Sequence, residues 1–266
     1  MTQVRTLALD DNNSHLLLTD QRYHFFPKHY HETYSIAMLF NGAKNFSTKH
    51  ESGILDENNL ATMNPGEIHY GDSVTKEGWN QAVILFDRKS ADKFIEENDL
   101  KAQELVFCKT IKNNLKYRAE MQEVYYSIAN SENEMEKEQH FQTMLGLVFS
   151  KEKEKNVQKV YSNISGIRKT IELMNEEPSA KHTLDELAET ADMSKFHFLR
   201  TFKDATGMTP HAYLNVLRVE RARMKMLTTS LNLADISAEC GFSDQAHFTR
   251  AYKKVYGTPP GRLIKF

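Results

Sequence analysis

The sequence predicts an α+β chain of more than one domain, with strands and then helices in its N-terminal part and helices alone in its C-terminal part. Three observations carry this prediction. Short apolar runs separated by turn residues fill the chain up to about residue 88; apolar residues at helical spacing follow from Ser90; and one helical unit occurs twice near the end, at a spacing of 49 to 50 residues. At 266 residues the chain is long for one core, so the boundaries are set at 1–155 and 160–266.

The strand-rich part comes first. Residues 35–40 form an apolar run, Asn41-Gly42 is a dipeptide of tight hairpin turns, and residues 43–48 return, so a hairpin is expected here. Residues 15–19, 60–63 and 81–86 are further strands, with Pro65-Gly66 and Gly71-Asp72 as breaks. Helices follow, with stripes at Phe94 and Ile95, at Leu115, Met121, Val124 and Ile128, and at Met135, Phe141, Met144, Leu145 and Val148. Either a second subunit or the chain's own strands can cover the last two stripes. The charge run 151–155 reads as a solvated helix end or linker.

Composition excludes several classes. A hydrophobic share of 40% with 26% charged residues belongs to a folded globular chain, neither disordered nor fibrous. Cys108 and Cys240 are the two cysteines, far apart, so no zinc or disulfide framework is implied and a reducing compartment fits. The first residues lack a secretory pattern and the longest apolar runs are strand-sized, so a cytoplasmic protein without a membrane partner is expected. Charge divides unevenly: residues 1–159 hold 19 Lys and Arg against 24 Asp and Glu, whereas 160–266 hold 15 against 12. The C-terminal part is the better partner for a polyanion.

The repeat is the most specific signal. Leu187, Ala191 and Met193 match Ile236, Cys240 and Phe242; after one inserted residue, Phe198, Arg200, Phe202, Lys203, Gly207 and Pro210 match Phe248, Arg250, Tyr252, Lys253, Gly257 and Pro260. Each copy has the marks of a helix-turn-helix. Thr183 with Glu186 forms a capping box and Asn232 with Asp235 a weaker one. Gly241 supplies a tight turn where Asp192 must tolerate a left-handed backbone, and Ser194 and Ser243 can cap the following helix. Phe198 and Phe202, like Phe248 and Tyr252, stand four apart and face inward. Residues 210–228 read as one connecting helix.

The opposite face of each second helix is polar, which is what a DNA major groove requires. The outward candidates are Lys195, Phe196, His197, Leu199, Arg200 and Lys203 in the first copy. In the second they are Asp244, Gln245, Ala246, His247, Thr249 and Arg250. Arg suits guanine and Gln adenine, Phe196 or Ala246 can meet a thymine methyl, and a cation such as Lys203 suits phosphate.

The double unit, ending GFSDQAHFTRAYKKVYGTPPGRL, resembles the DNA-binding domain of the AraC/XylS family of bacterial transcription regulators over about residues 160–264. The resemblance implies two recognition helices in successive major grooves, with Phe196, Leu199, Arg200, Gln245, Ala246 and Arg250 facing bases; Leu199 departs from the polar residue more usual there. His29-Tyr-His31 and Pro65-Gly-Glu-Ile-His69 resemble the two motifs of a cupin barrel. The fold expected is therefore a cupin-like β-barrel with following helices, joined to an all-α domain with two helix-turn-helix units. His29, His31 and His69 could hold a metal in a cupin enzyme. Glu32 points away from them, however, and Ser35 and Ile36 stand where that family places a carboxylate, so no metal, cofactor or catalytic residue is assigned.

In the regulator family this barrel commonly holds a small effector, which implies a site among His29, His31, Tyr34, His69, Tyr70 and Trp79. The partners expected are promoter or operator DNA, the effector, RNA polymerase, and a second copy through helices near 115–150. Family resemblance favours activation. Sugar, amino acid and aromatic acid all remain open as effector.

Overall fold

The structure, a computed structural model, describes residues 3–9, 14–21, 25–100, 105–152 and 165–265. The strands and helices of the first part are β1 (Gln3–Ala8), β2 (His15–Gln21), β3 (Phe25–His29), β4 (Tyr34–Gly42), β5 (Lys44–Thr48), β6 (Ser52–Leu55), β7 (Leu60–Met63), β8 (His69–Ser73), β9 (Trp79–Phe86), α1 (Arg88–Glu97), β10 (Ile111–Lys112), α2 (Leu115–Ala129) and α3 (Glu134–Lys151). The second part holds α4 (Ser165–Glu176), α5 (Leu184–Thr190), α6 (Lys195–Thr206), α7 (Pro210–Thr228), α8 (Leu233–Glu239) and α9 (Gln245–Tyr256), then a 3-10 turn and β11 (Leu263–Lys265). Two compact units result, one of residues 1–25, 31–157 and 262–266, the other of residues 26–30 and 158–261.

The strands form one sheet of the order β10-β7-β4-β9-β2-β1-β11 and a second of the order β3-β8-β5-β6. β4 and β9 are covered on both faces, which is why they read as continuous apolar runs. One face carries Tyr34, Ile36, Met38, Ala82, Ile84 and Phe86 into a core completed by Phe94, Met121, Ile128, Phe141, Met144 and Val148. The stripes of α2 and α3 are thus spent on their own chain's sheet. Burying each such side chain contributes about 2 kcal/mol. The other face, with Ser35, Ala37, Leu39, Gln81 and Leu85, looks toward the second sheet: Lys44 Nζ on β5 donates to Gln81 Oε1 at 2.7 Å.

The expected hairpin at Asn41-Gly42 does not form. β4 pairs with β7 and β9, whereas β5 pairs with β6 and β8, so the dipeptide carries the chain from one sheet to the other. Gly42 is needed there because its φ is 84° and a Cβ would lie 2.2 Å from the Gly78 carbonyl oxygen. A bulge at Leu39/Asn41 frees the Leu39 carbonyl, and buried Arg118 of α2 donates to it at 2.7 Å. The charge run is not simply solvated: Glu152 is buried against Lys112 at 2.7 Å and Lys151 meets Glu120 at 2.9 Å, while 153–155 lie outside the described residues. Nor is the tail all helical, since β11 pairs in parallel with β1.

The second unit is helical, and α7 forms its axis, burying Tyr213, Leu217, Val219, Ala222 and Met226. Its cations serve the fold. Arg218 donates to the Pro178 and Ala180 carbonyls at 2.7 and 2.8 Å, and Lys225 pairs with Glu239 at 2.6 Å. Arg223 and Glu220 are buried together at 3.4 Å, and Tyr256 of α9 donates its hydroxyl to Glu220, tying the connecting helix to the last one.

Candidate nucleic-acid interface and barrel interior

Each copy of the repeat builds the same turn. Asp192 and Gly241 have φ of 55° and 78°, and behind them Met193 and Phe242 donate backbone N–H groups to Ala188 and Ser237 at 2.9 and 3.0 Å. A Cβ on Gly241 would come within 2.7 Å of Ser179 backbone, so this position has neither the space nor the conformation for a side chain. The capping box of Thr183 and Glu186 is complete, and the bond from the Thr183 backbone N–H holds the Glu186 carboxyl below its usual range. Asn232 caps α8 alone, accepting from Ala234 and Asp235. α6 and α9 both end at a left-handed glycine, Gly207 or Gly257, whose N–H returns to Lys203 or Lys253.

The starts of α6 and α9 differ. Ser194 caps α6, but in the second copy the inserted residue, Asp244, takes that place and accepts from the His247 N–H at 2.6 Å. That bond, with a second from Ser243 at 3.1 Å, holds the Asp244 carboxyl below its usual range. Ser243 therefore supports the cap instead of being it. The His247 ring is also engaged, edge-on to Phe242 and 3.2 Å from Ser243 Oγ. Asp244 and His247, counted among the outward residues from the sequence, have structural work at the helix start.

What remains outward forms one stripe per helix. On α6 it runs Lys195, Phe196, Leu199, Arg200, Lys203, and on α9 Gln245, Ala246, Thr249, Arg250, Lys253, with Phe198 and Phe202 or Phe248 and Tyr252 buried behind. Phe196 is 80% exposed, a large apolar ring that the fold itself leaves in solvent. Leu199 and Thr249 are half-buried, whereas His197, Arg200, Gln245, Ala246 and Arg250 are exposed. Lys195 pairs with Asp185, and Arg200 lies 3.9 Å from Asp204 in a solvent-exposed pair that costs little to exchange for phosphate or base. Lys253, not among the residues singled out from the sequence, is exposed at the position that matches Lys203.

Between the sheets the predicted effector residues separate. His29, His31 and His69 come together, with one ligand atom of each within 4.8 Å of the others. The Glu67 carbonyl lies 2.9 Å from His69 Nδ1, and since a carbonyl oxygen can only accept, that nitrogen donates to it. Trp79 is buried on the inner face of β9. Tyr34 is not with them: it lies on the helix side of β4, stacked on Phe86, and its hydroxyl donates to the Leu105 carbonyl at 2.7 Å. Tyr70 follows His69 along β8, so it faces outward. Cys240 is buried, which pushes its thiol up to about 11, and Cys108 is exposed. No helix among the described residues is long and apolar enough to cross a membrane.

Comparison with known proteins agrees with this division. Residues 14–145 match the AraC-like ligand binding domain and residues 187–265 a helix-turn-helix domain. The HTH-type transcriptional regulator YbfI of Bacillus subtilis is 24% identical over 92% of this chain and 90% of its own length. Transcriptional activator NphR of Rhodococcus sp is 40% identical over 31% of this chain and 24% of its own length, so that likeness is confined to one part. Among solved structures, an apo ToxT variant from Vibrio cholerae shares the fold over 95% of this chain and 97% of its own, with a TM-score of 0.63 at 13% identity. With a ligand-binding sheet domain followed by a doubled helix-turn-helix, the chain belongs to the AraC family of DNA-binding transcription regulators.

Proposed function

We propose that this chain activates transcription by laying α6 and α9 in successive major grooves of an operator, under the control of a small molecule held between the two sheets. The observation that carries this reading is the pair of outward stripes. Two helices with matched closing glycines and matched buried rings present Arg200 and Arg250 at equivalent positions, and the 19-residue helix α7 lies between them in the chain. Major grooves recur about every 34 Å along one side of B-form DNA, so a fixed connector suits two contacts on one face. Phe196 gives the first helix an apolar contact suited to a thymine methyl, and Gln245 and Arg250 give the second a polar one. Activation is supported by the likeness to NphR. A homodimer across α2 and α3 would use what those helices leave exposed, Leu115, Tyr126 and Met135, because their main stripes are covered.

Selection of duplexes from a random pool by the full chain tests the reading. It predicts one enriched sequence with two blocks about one helical turn apart; a pool left unenriched would refute it. For the effector, one ToxT structure from Vibrio cholerae is bound to an unsaturated fatty acid, which places organic acids beside sugars and amino acids in the trial set.

A second reading has its own observation, the three clustered imidazoles. His29, His31 and His69 offer a donor set suited to zinc or iron, without a carboxylate among the described residues of the group. A metal there would stabilise the sheets or respond to metal supply. Metal analysis of chelator-free protein, with thermal unfolding before and after EDTA, decides: no bound metal and no EDTA effect removes this reading.

A further inference from the structure

Lys44 has no place in DNA reading, yet it is 6% exposed at the meeting of the two sheets. Its surroundings are neutral. The ammonium donates to Gln81 Oε1 at 2.7 Å and lies 5.4 and 5.5 Å from the ring centroids of Phe46 and Trp79, and among the described residues no carboxylate pairs with it. A buried cation without a counter-charge is costly, and an ammonium has three donors of which Gln81 takes one. Burial pulls the Lys44 pKa from 10.5 to about 7. A methionine would fill this place at lower cost, so the amine asks for a partner that the described residues do not supply.

The neighbouring side chains fit such a partner. Gln81 pairs across the ladder with Thr19 on one side and Leu39 on the other, so all three share the inner face. Thr19 Oγ1 is buried and without a hydrogen-bond partner, as is Thr6 Oγ1 on β1, two pairs away on the same face. Phe46 is the next inner residue of β5 after Lys44, and Leu55 lies opposite Lys44 on β6. One end of this lining is cationic with hydroxyl donors; the rest is apolar.

We propose that Lys44, Gln81 and Thr19 bind the carboxylate of an organic acid whose apolar body lies along Phe46 and Trp79. This rests on the effector reading above and names its chemical class. A carboxylate would accept from the ammonium and the Thr19 hydroxyl and supply the missing counter-charge.

Trp79 is the one tryptophan of the chain, so its fluorescence reports binding at this place in the full-length protein. The probes are benzoate, octanoate and dodecanoate, each beside its neutral alcohol. The acid is expected to bind wild type on the order of tenfold or more tightly than the alcohol, the worth of a hydrogen-bonded charge. Lys44→Met should erase that difference while leaving alcohol binding in place, and Gln81→Leu should weaken acid binding alone. Equal binding of acid and alcohol, a preference that survives Lys44→Met, or no binding by any probe at millimolar concentration overturns the assignment. If a sugar or amino acid still alters operator affinity in that case, the effector reading stands without it. If acids bind through Lys44 and operator occupancy and transcription stay unchanged, the site stands and the effector reading falls.

Discussion

Removing the buried amine should change how the sheet unit responds to pH, even with no ligand present. Lys44 titrates near 7 in the folded chain and near 10.5 when unfolded. Between these values the unfolded chain holds the extra proton, so the cost of burying the charge is fully present below pH 7 and is relieved as pH rises toward 10.5. From pH 7 to pH 9 the relief amounts to about 2 kcal/mol, an upper-end figure from the size of the shift. Lys44→Met lacks this component but keeps every other titrating group, so subtracting its profile isolates the lysine. Urea unfolding followed by Trp79 emission reads the sheet unit alone, because no other tryptophan exists. Wild type should gain on the variant steadily over that window. Parallel profiles would show that burial does not lower the pKa of the amine, and the counter-charge argument would lose its footing.

Further expectations concern the helical unit. Arg250→Ala or Gln245→Ala should relax preference at one or two base pairs, at about 1–3 kcal/mol each, read by competition between operator variants. Lys203→Ala should weaken all duplexes alike and lower the salt slope by about one, which a titration in salt will show. Gly241→Ala should destabilise by about 1–3 kcal/mol, since it meets both a left-handed backbone and Ser179, whereas Asp192→Gly should be neutral or stabilising; circular-dichroism melts compare them. Glu220→Leu strands buried Arg223 and should cost about 3–5 kcal/mol in the same assay; an unchanged melt would mean that Tyr256 and solvent suffice for the guanidinium.

The repeat was legible because its determinants are local: a cap, a left-handed position, two rings four residues apart and a closing glycine all lie within about two dozen residues. Apolar runs at β4 and β9 were legible as strands for the same reason. Their faces were not. With both sides covered, alternation cannot tell which side holds helices, and so Tyr34 was grouped with the effector residues although it packs under α2 and α3. Asn41-Gly42 shows a similar limit, since a turn dipeptide fixes a bend but not which strand accepts the returning chain. The inserted Asp244 hid behind Ser243, which occupies the cap place in a simple alignment. Lys44 drew no notice because a lone lysine in a strand reads as surface. Its even spacing with Phe46 and Thr48 was the available clue, and it gains force only when both faces are known to be covered.

In α6 and α9 the rings that hold shape and the stripe left to solvent fall on opposite sides of the cylinder. Phe196 and Ala246 occupy equivalent places and differ about as much in bulk as two apolar residues can, yet both turns close in the same way. The outer letters of each helix can therefore be respelled one at a time without endangering the frame, and the two halves are at liberty to acquire different tastes. On the proposed docking, retargeting such a protein becomes a matter of surface editing, with the caps, glycines and inner rings left alone.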